Sequence, residues 1–116
     1  MGSIFSSPTP LTPEMAAAIK TKVDAIIAEN AIVVFSKSYC PYCTKAKKLL
    51  EKLGAKAFIL ELDNIDDGAD IQAYLQTLTG QRTVPNIFIS QKHIGGCDSL
   101  FALDNSGELK TLLAKI

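Results

Sequence analysis

Apolar residues recur along this chain in two alternating rhythms. Met15, Ala18, Ile19, Val23, Ile26 and Ile27 return every three or four positions, the spacing of one helix face. Thr12-Pro13 supplies the start of that helix, a hydroxyl cap followed by proline at the first helical position, and Glu29-Asn30 its end. Ala31 to Phe35 is continuously apolar and β-branched, which predicts a short strand buried on both faces. From Pro41 to Leu53 the helical rhythm returns. Ala46, Leu49, Leu50 and Leu53 make its apolar stripe, Lys45, Lys47, Lys48 and Lys52 its wet side, and Gly54 its stop.

Lys56 to Leu62 predicts a second buried strand, parallel to the first if the helix between them is a crossover. Asp66-Asp67-Gly68 opens a third helix, striped by Ile71, Leu75 and Leu78 and closed by Gly80. Pro85 to Ile89 and His93-Ile94 predict a hairpin that turns at Gln91-Lys92 and ends at Gly95-Gly96. Two short helices follow, Asp98 to Leu103 and Glu108 to Lys115. This order is that of one α/β domain, with a ligand site beyond the carboxyl end of the first strand.

Before Thr12 the rhythm is missing. Met1 to Leu11 is rich in Ser, Thr and Pro and predicts a flexible tail, leaving residues 12–116 as the domain. Met1-Gly2-Ser3-Ile4-Phe5-Ser6 fits the bare N-myristoylation pattern, and equally an ordinary or cloning-derived start. At 47% apolar the chain is a packed globule rather than a disordered one. Lys+Arg and Asp+Glu balance at 12 each, so no net field draws nucleic acid or an anionic membrane. Three cysteines with one close pair do not make a secreted disulfide framework. A reducing compartment, most simply the cytoplasm, is expected.

The chemistry concentrates where the first strand hands over to the second helix, at Ser38-Tyr39-Cys40-Pro41-Tyr42-Cys43. Two cysteines separated by two residues read as a dithiol redox pair. At the helix start, unpaired N–H groups and the macrodipole favour an anion at Cys40, and Lys37 adds a positive charge. Cys43, one turn inside, lacks that help and remains a thiol until it displaces whatever Cys40 has captured. Other readings use the same residues. Cys40, Cys43, His93 and Cys97 are four candidate zinc ligands, although the long separation of the pairs is unlike a zinc finger. Cys40, His93 and Asp98 could form a hydrolase constellation only by accident of folding.

Lys37-Ser38-Tyr39-Cys40-Pro41-Tyr42-Cys43, Gly80-Gln81-Arg82-Thr83-Val84-Pro85-Asn86 and His93-Ile94-Gly95-Gly96-Cys97-Asp98 together resemble a dithiol glutaredoxin of the C-P-Y-C type, from about Thr12 to the C-terminus. The resemblance implies a thioredoxin-like fold, with a four-stranded mixed sheet flanked by about five helices. It further implies glutathione as co-substrate and no metal. Protein–glutathione mixed disulfides and protein disulfides would be reduced, with Cys40 attacking and Cys43 resolving.

On the same basis, Val84 offers its backbone to glutathione like an added strand, beside Thr83 and a cis Pro85. Lys37 and Gln72 meet the glycyl carboxylate with Arg82 nearby. Asp98 and Ser99 take the γ-glutamyl end, Gly96 permits close backbone approach, and Tyr42 borders the sulfur. Asp98 as a plain helix cap is the simpler alternative for that residue. The implied partners are glutathionylated or disulfide-bonded proteins and, indirectly, glutathione reductase. A monomer is expected. The rival is a dimeric carrier in which two Cys40 thiolates and two glutathiones hold a [2Fe–2S] cluster; Pro41 disfavours it, since relatives that hold clusters usually have a smaller residue there.

Overall fold

Strand β1 (Ile32–Ser36) is buried at every position, and the molecule is layered around it. Successive side chains of a strand point to opposite faces, so β1 needs an apolar cover on both. The computed structural model, which describes residues 11–116, supplies two. Val33 and Phe35 join one cluster with Ile19, Val23 and Ile27 of α1 (Pro13–Glu29) and Ile71 and Leu75 of α3 (Gly68–Thr79). Ile32 and Val34 join the other with Ala46, Leu49 and Leu50 of α2 (Pro41–Lys52), Leu100 of α4 (Cys97–Ser106) and Leu109 of α5 (Glu108–Ala114). The result is the expected thioredoxin-like α/β fold, a sheet between two helical layers.

The sheet has four strands in the order β2-β1-β3-β4, where β2 is Phe58–Glu61, β3 Asn86–Ile89 and β4 Lys92–Gly95. β2 runs parallel to β1 (Val34 opposite Ile59) and β3 antiparallel (Val34 opposite Ile87). An irregularity between Ile87 and Phe88 interrupts the β3–β4 ladder. The Phe35 and Phe88 rings meet edge to face at 5.9 Å across the sheet centre. Thr12 caps α1 as its sequence suggests, its hydroxyl accepting the Met15 N–H at 3.1 Å.

Several expectations need correction. The second strand is parallel but not buried. It is the sheet's edge, shorter than 56–62, with Phe58 and Ile59 38% and 41% exposed. Leu62 to Asn64 leaves it as a 3₁₀ turn. Met15 and Leu78 belong to apolar stripes by spacing, yet both are exposed: Met15 lies in the first turn of α1, and Leu78, in the last turn of α3, borders an open groove with Ile27 and Phe88. The hairpin turns one residue earlier than predicted, at Ser90 (φ 51°) and Gln91 (φ 69°), which puts Lys92 in β4. Two central residues with positive φ match the right-handed twist of the flanking strands, but Ser-Gln lacks the Asn-Gly signature that announces such a turn. The fourth helix begins at Cys97 and runs to Ser106, longer than expected. The tail and its acylation pattern fall, except for Leu11, outside the described residues.

Two substitutions test this account. Gly68 opens α3 where a Cβ would stand 1.8 Å from the Leu62 carbonyl oxygen. Gly68→Ala should therefore lower stability by at least about 2 kcal/mol, read as a lower urea midpoint; an unchanged midpoint contradicts the packing described. Conversely, Gln91→Gly relieves a positive φ and should raise stability by roughly 0.5–1 kcal/mol in the same titration.

Candidate active site

At the carboxyl end of β1 the chain leaves the sheet through Ser36, which is fully buried. It then closes a tight turn, the Cys40 N–H donating to Lys37 O at 3.1 Å. The turn is pinned from outside: the Ser38 backbone N–H donates to Asp63 Oδ1 at 2.9 Å, and the Ser38 hydroxyl donates to Asp63 Oδ2. These bonds, the hydroxyl's first, hold the Asp63 carboxyl below the usual carboxylate range. Asp63 lies in the 3₁₀ turn after β2, so the sheet edge fixes the approach to the cysteines. Nothing in the spacing of the sequence reveals this partner, 25 residues away from Ser38.

Cys40 is the N-cap of α2, with Pro41 at the first helical position as predicted. Its sulfur accepts the Cys43 N–H at 3.4 Å, one of the donors that a helix start leaves unpaired. In the thiol form it donates to the Val84 carbonyl at 3.8 Å. Cys40 is half-buried, whereas Cys43 is wholly buried beneath it. Burial pushes the Cys43 thiol up, and the neighbouring Cys40 sulfur adds to this; the Lys37 backbone and the Ser36 hydroxyl oppose it. One thiol thus faces solvent at a helix start, and the other is held back and protonated one turn below.

Beside Cys40 lies an open cavity of about 400 Å³. Tyr42 forms one wall, Thr83, Val84 and Pro85 a second, and Gly96, Cys97, Asp98 and Ser99 a third. The Val84–Pro85 peptide bond is cis. Seven of the residues singled out beside the cysteines are therefore gathered: Tyr42, Thr83, Val84, Pro85, Gly96, Asp98 and Ser99. Asp98 sits in the first turn of α4, where the macrodipole favours its charge. The cap position is taken by Gly96, so Asp98 as a plain N-cap does not hold.

Lys37, Gln72 and Arg82 are outside this wall. Gln72 Nε2 donates to the Arg82 carbonyl at 2.7 Å, and the Arg82 guanidinium donates to Gln76 Oε1 at 3.1 Å, along α3. Cys97 is buried in the cavity wall, and that burial pushes its thiol up, with Asp98 and Cys40 acting in the same direction and Lys45 against it. Gln81 also lines the cavity and was not among the candidates. Its place within the Gly80–Asn86 block is visible in the sequence, but its role depends on bonds that only the folded loop creates.

The competing constellations do not assemble. His93 Nε2 lies 2.9 Å from Asn86 Oδ1 and its ring packs on Phe88, in a separate groove lined by Asp24, Ile27 and Leu78. It is thus no general base for Cys40. The four candidate zinc ligands are likewise not brought together: among the described residues no group of three or more His, Cys, Asp or Glu side chains forms a metal cluster. No helix among them is long and apolar enough to cross a membrane.

Comparison with known proteins agrees with this geometry. The glutaredoxin family model matches residues 32–94, more than half of the chain and both cysteines of the helix start. A glutaredoxin of Ricinus communis is 57% identical over 95 residues, covering 82% of this chain and 93% of its own length. Glutaredoxin-C6 of Oryza sativa subsp. japonica is 52% identical over 94 residues, covering 81% and 84%. The crystal structure of a buckwheat glutaredoxin–glutathione complex superposes with a TM-score of 0.88 at 47% identity, covering 90% of this chain and 96% of that one. With a matched family model, close relatives along most of its length and the same fold around a Cys40–Cys43 dithiol, the chain belongs to the glutaredoxin family.

Proposed function

We propose that this protein is a glutathione-dependent thiol–disulfide oxidoreductase that removes glutathione from protein mixed disulfides and also reduces protein disulfides. One observation carries the reading: the sulfur of the half-buried Cys40 lies 3.8 Å from the carbonyl of Val84, a residue of the cavity wall, so the nucleophile stands at the edge of that cavity. A glutathionyl group whose cysteine pairs with the Val84 backbone puts its sulfur against Cys40. The buckwheat complex with glutathione, a close structural neighbour, supports that choice of thiol.

Cys40, as thiolate, attacks the glutathionyl sulfur of the mixed disulfide. The substrate sulfur leaves with the bonding pair and takes up a proton, and glutathione stays on Cys40. A second glutathione thiolate attacks that glutathionyl sulfur. Glutathione disulfide departs and Cys40 is again a thiolate, one free glutathione having been consumed for each substrate thiol released.

A protein disulfide takes a different exit. Cys40 captures one substrate sulfur and releases the other. Cys43 then loses its proton, attacks the Cys40 sulfur and frees the second, leaving a Cys40–Cys43 disulfide that two glutathiones reduce. Holding Cys43 as a buried thiol keeps it from competing for the first attack.

In this reading Asp98 and Ser99, at the start of α4, bind the γ-glutamyl end; N–H groups there meet its carboxylate and Asp98 its ammonium. Lys37, with Gln72 and Arg82, serves the glycyl carboxylate from the cavity's outer side. The protein works as a monomer in the cytoplasm, where reduced cysteines persist, and glutathione reductase recycles the glutathione disulfide.

A coupled assay with glutathione, glutathione reductase and a small glutathionyl mixed disulfide should show turnover; its absence overturns the reading. Cys40→Ser should abolish activity on every substrate. Cys43→Ser should keep deglutathionylation and lose most reduction of protein disulfides. Loss of both activities in Cys43→Ser would refute the division of labour between the two thiols.

A further inference from the structure

The backbone at Thr83 and Val84 belongs to no sheet ladder, since β3 begins only at Asn86. Something else must hold it, and Gln81 does. Its Nε2 stands 3.0 Å from the Thr83 carbonyl oxygen and 3.0 Å from that of Pro85, so both amide hydrogens are used on the loop. Two carbonyl neighbours also identify which end of the carboxamide is nitrogen, because its oxygen would face two like dipoles. The carbonyl between them, that of Val84, is left outside the clip and takes the Cys40 thiol.

The clip is itself anchored. Gln81 N–H donates to Thr79 Oγ1 at 3.0 Å, and that hydroxyl donates to Leu75 O at 2.7 Å. Gln81 O accepts from Asn86 Nδ2 at 3.5 Å; Asn86 is only 1% exposed, and its Oδ1 pairs with His93. Toward the cavity the carboxamide faces the turn into α4. A Cβ added at Gly96 would meet Pro85 O at 3.6 Å and Gln81 Nε2 at 3.9 Å. Gln81 therefore sits where the loop carrying Val84 meets the turn carrying Asp98.

We infer that Gln81 is a positioning residue which holds the Thr83–Pro85 backbone in the one arrangement where Val84 pairs with a glutathionyl group, and so sets affinity for that group without entering the thiol chemistry. The inference rests on the glutathione reading above. Without the clip, the Thr83 and Pro85 carbonyls turn to water and the loop samples several orientations. Glutathione must then order the loop as it binds, a cost that falls on affinity. Cys40 keeps its position, which is fixed by α2 and by the turn that Asp63 pins.

Two variants of nearly unchanged size test this. Gln81→Leu removes both donors; Gln81→Glu keeps the shape but sets a carboxylate against two carbonyls. Each should raise KM for a glutathionyl mixed disulfide about tenfold, the effect of losing two ordinary hydrogen bonds in part. Turnover at saturation should stay within about twofold, and iodoacetamide alkylation of Cys40 at neutral pH should keep its rate. The carbonyl ¹³C resonances of Thr83 and Pro85 should move while those of β1 do not.

An unchanged KM, or unmoved carbonyl resonances, overturns the inference. So does a loss of turnover accompanied by slower alkylation and a lowered unfolding midpoint, which would make Gln81 an ordinary structural residue. If the unsubstituted protein shows no turnover, the glutathione reading fails, and the carbonyl resonances alone then decide whether Gln81 holds the loop.

Discussion

Burial of β1 on both faces is the constraint from which the site follows. Ile32 and Val34 need one helical layer, Val33 and Phe35 the other, and neither layer can be lost without exposing half of the strand. Because β1 is central, its carboxyl end emerges in the middle of a sheet edge rather than at a corner. There β3 arrives antiparallel, with Asn86 opposite Phe35. The residues just before Asn86 are thereby brought beside the residues just after Ser36. A strand's end and another strand's start, far apart in sequence, become the two sides of one cavity.

Around that meeting point the electrostatics are divided with little charge. Cys40 owes its place to a helix start, where the Cys43 N–H donates to its sulfur. Cys43 owes its quiescence to being buried. A single helical turn separates an accessible sulfur from a sheltered one, and that is sufficient to make the two thiols chemically unlike. Asp63 adds a carboxylate near the cysteines, yet it is turned to Ser38 and so acts as a brace on the loop.

The wall of the cavity brings together Val84, Gly96 and the first turn of α4, and the Gln81 side chain holds the backbone on either side of Val84. The Gln81 carboxamide and the Nδ2 of the buried Asn86 behind it donate to backbone carbonyls rather than to a ligand. Such a site recognises a peptide-like molecule by shape and pairing, which suits glutathione, a small peptide.

Much of this was legible in residue order. Continuous apolarity from Ala31 to Phe35 declared a doubly covered strand, and helical periodicity placed the helices that cover it, because burial writes its period directly into the sequence. Proline and threonine marked helix starts through local chemistry alone, and the two-residue gap between Cys40 and Cys43 declared a dithiol. What escaped were relations between distant segments. Whether Phe58 lies inside or at the edge depends on how many strands stand beyond it, and its own residues do not encode that number. The grip of Asp63 on Ser38, the separation of His93 from Cys40 and the hold of Gln81 on Thr83 and Pro85 are hydrogen bonds whose partners are chosen by the packing of the sheet and its helices. The sequence by itself determined the elements and the reactive pair; only the tertiary structure decided which backbone they would face.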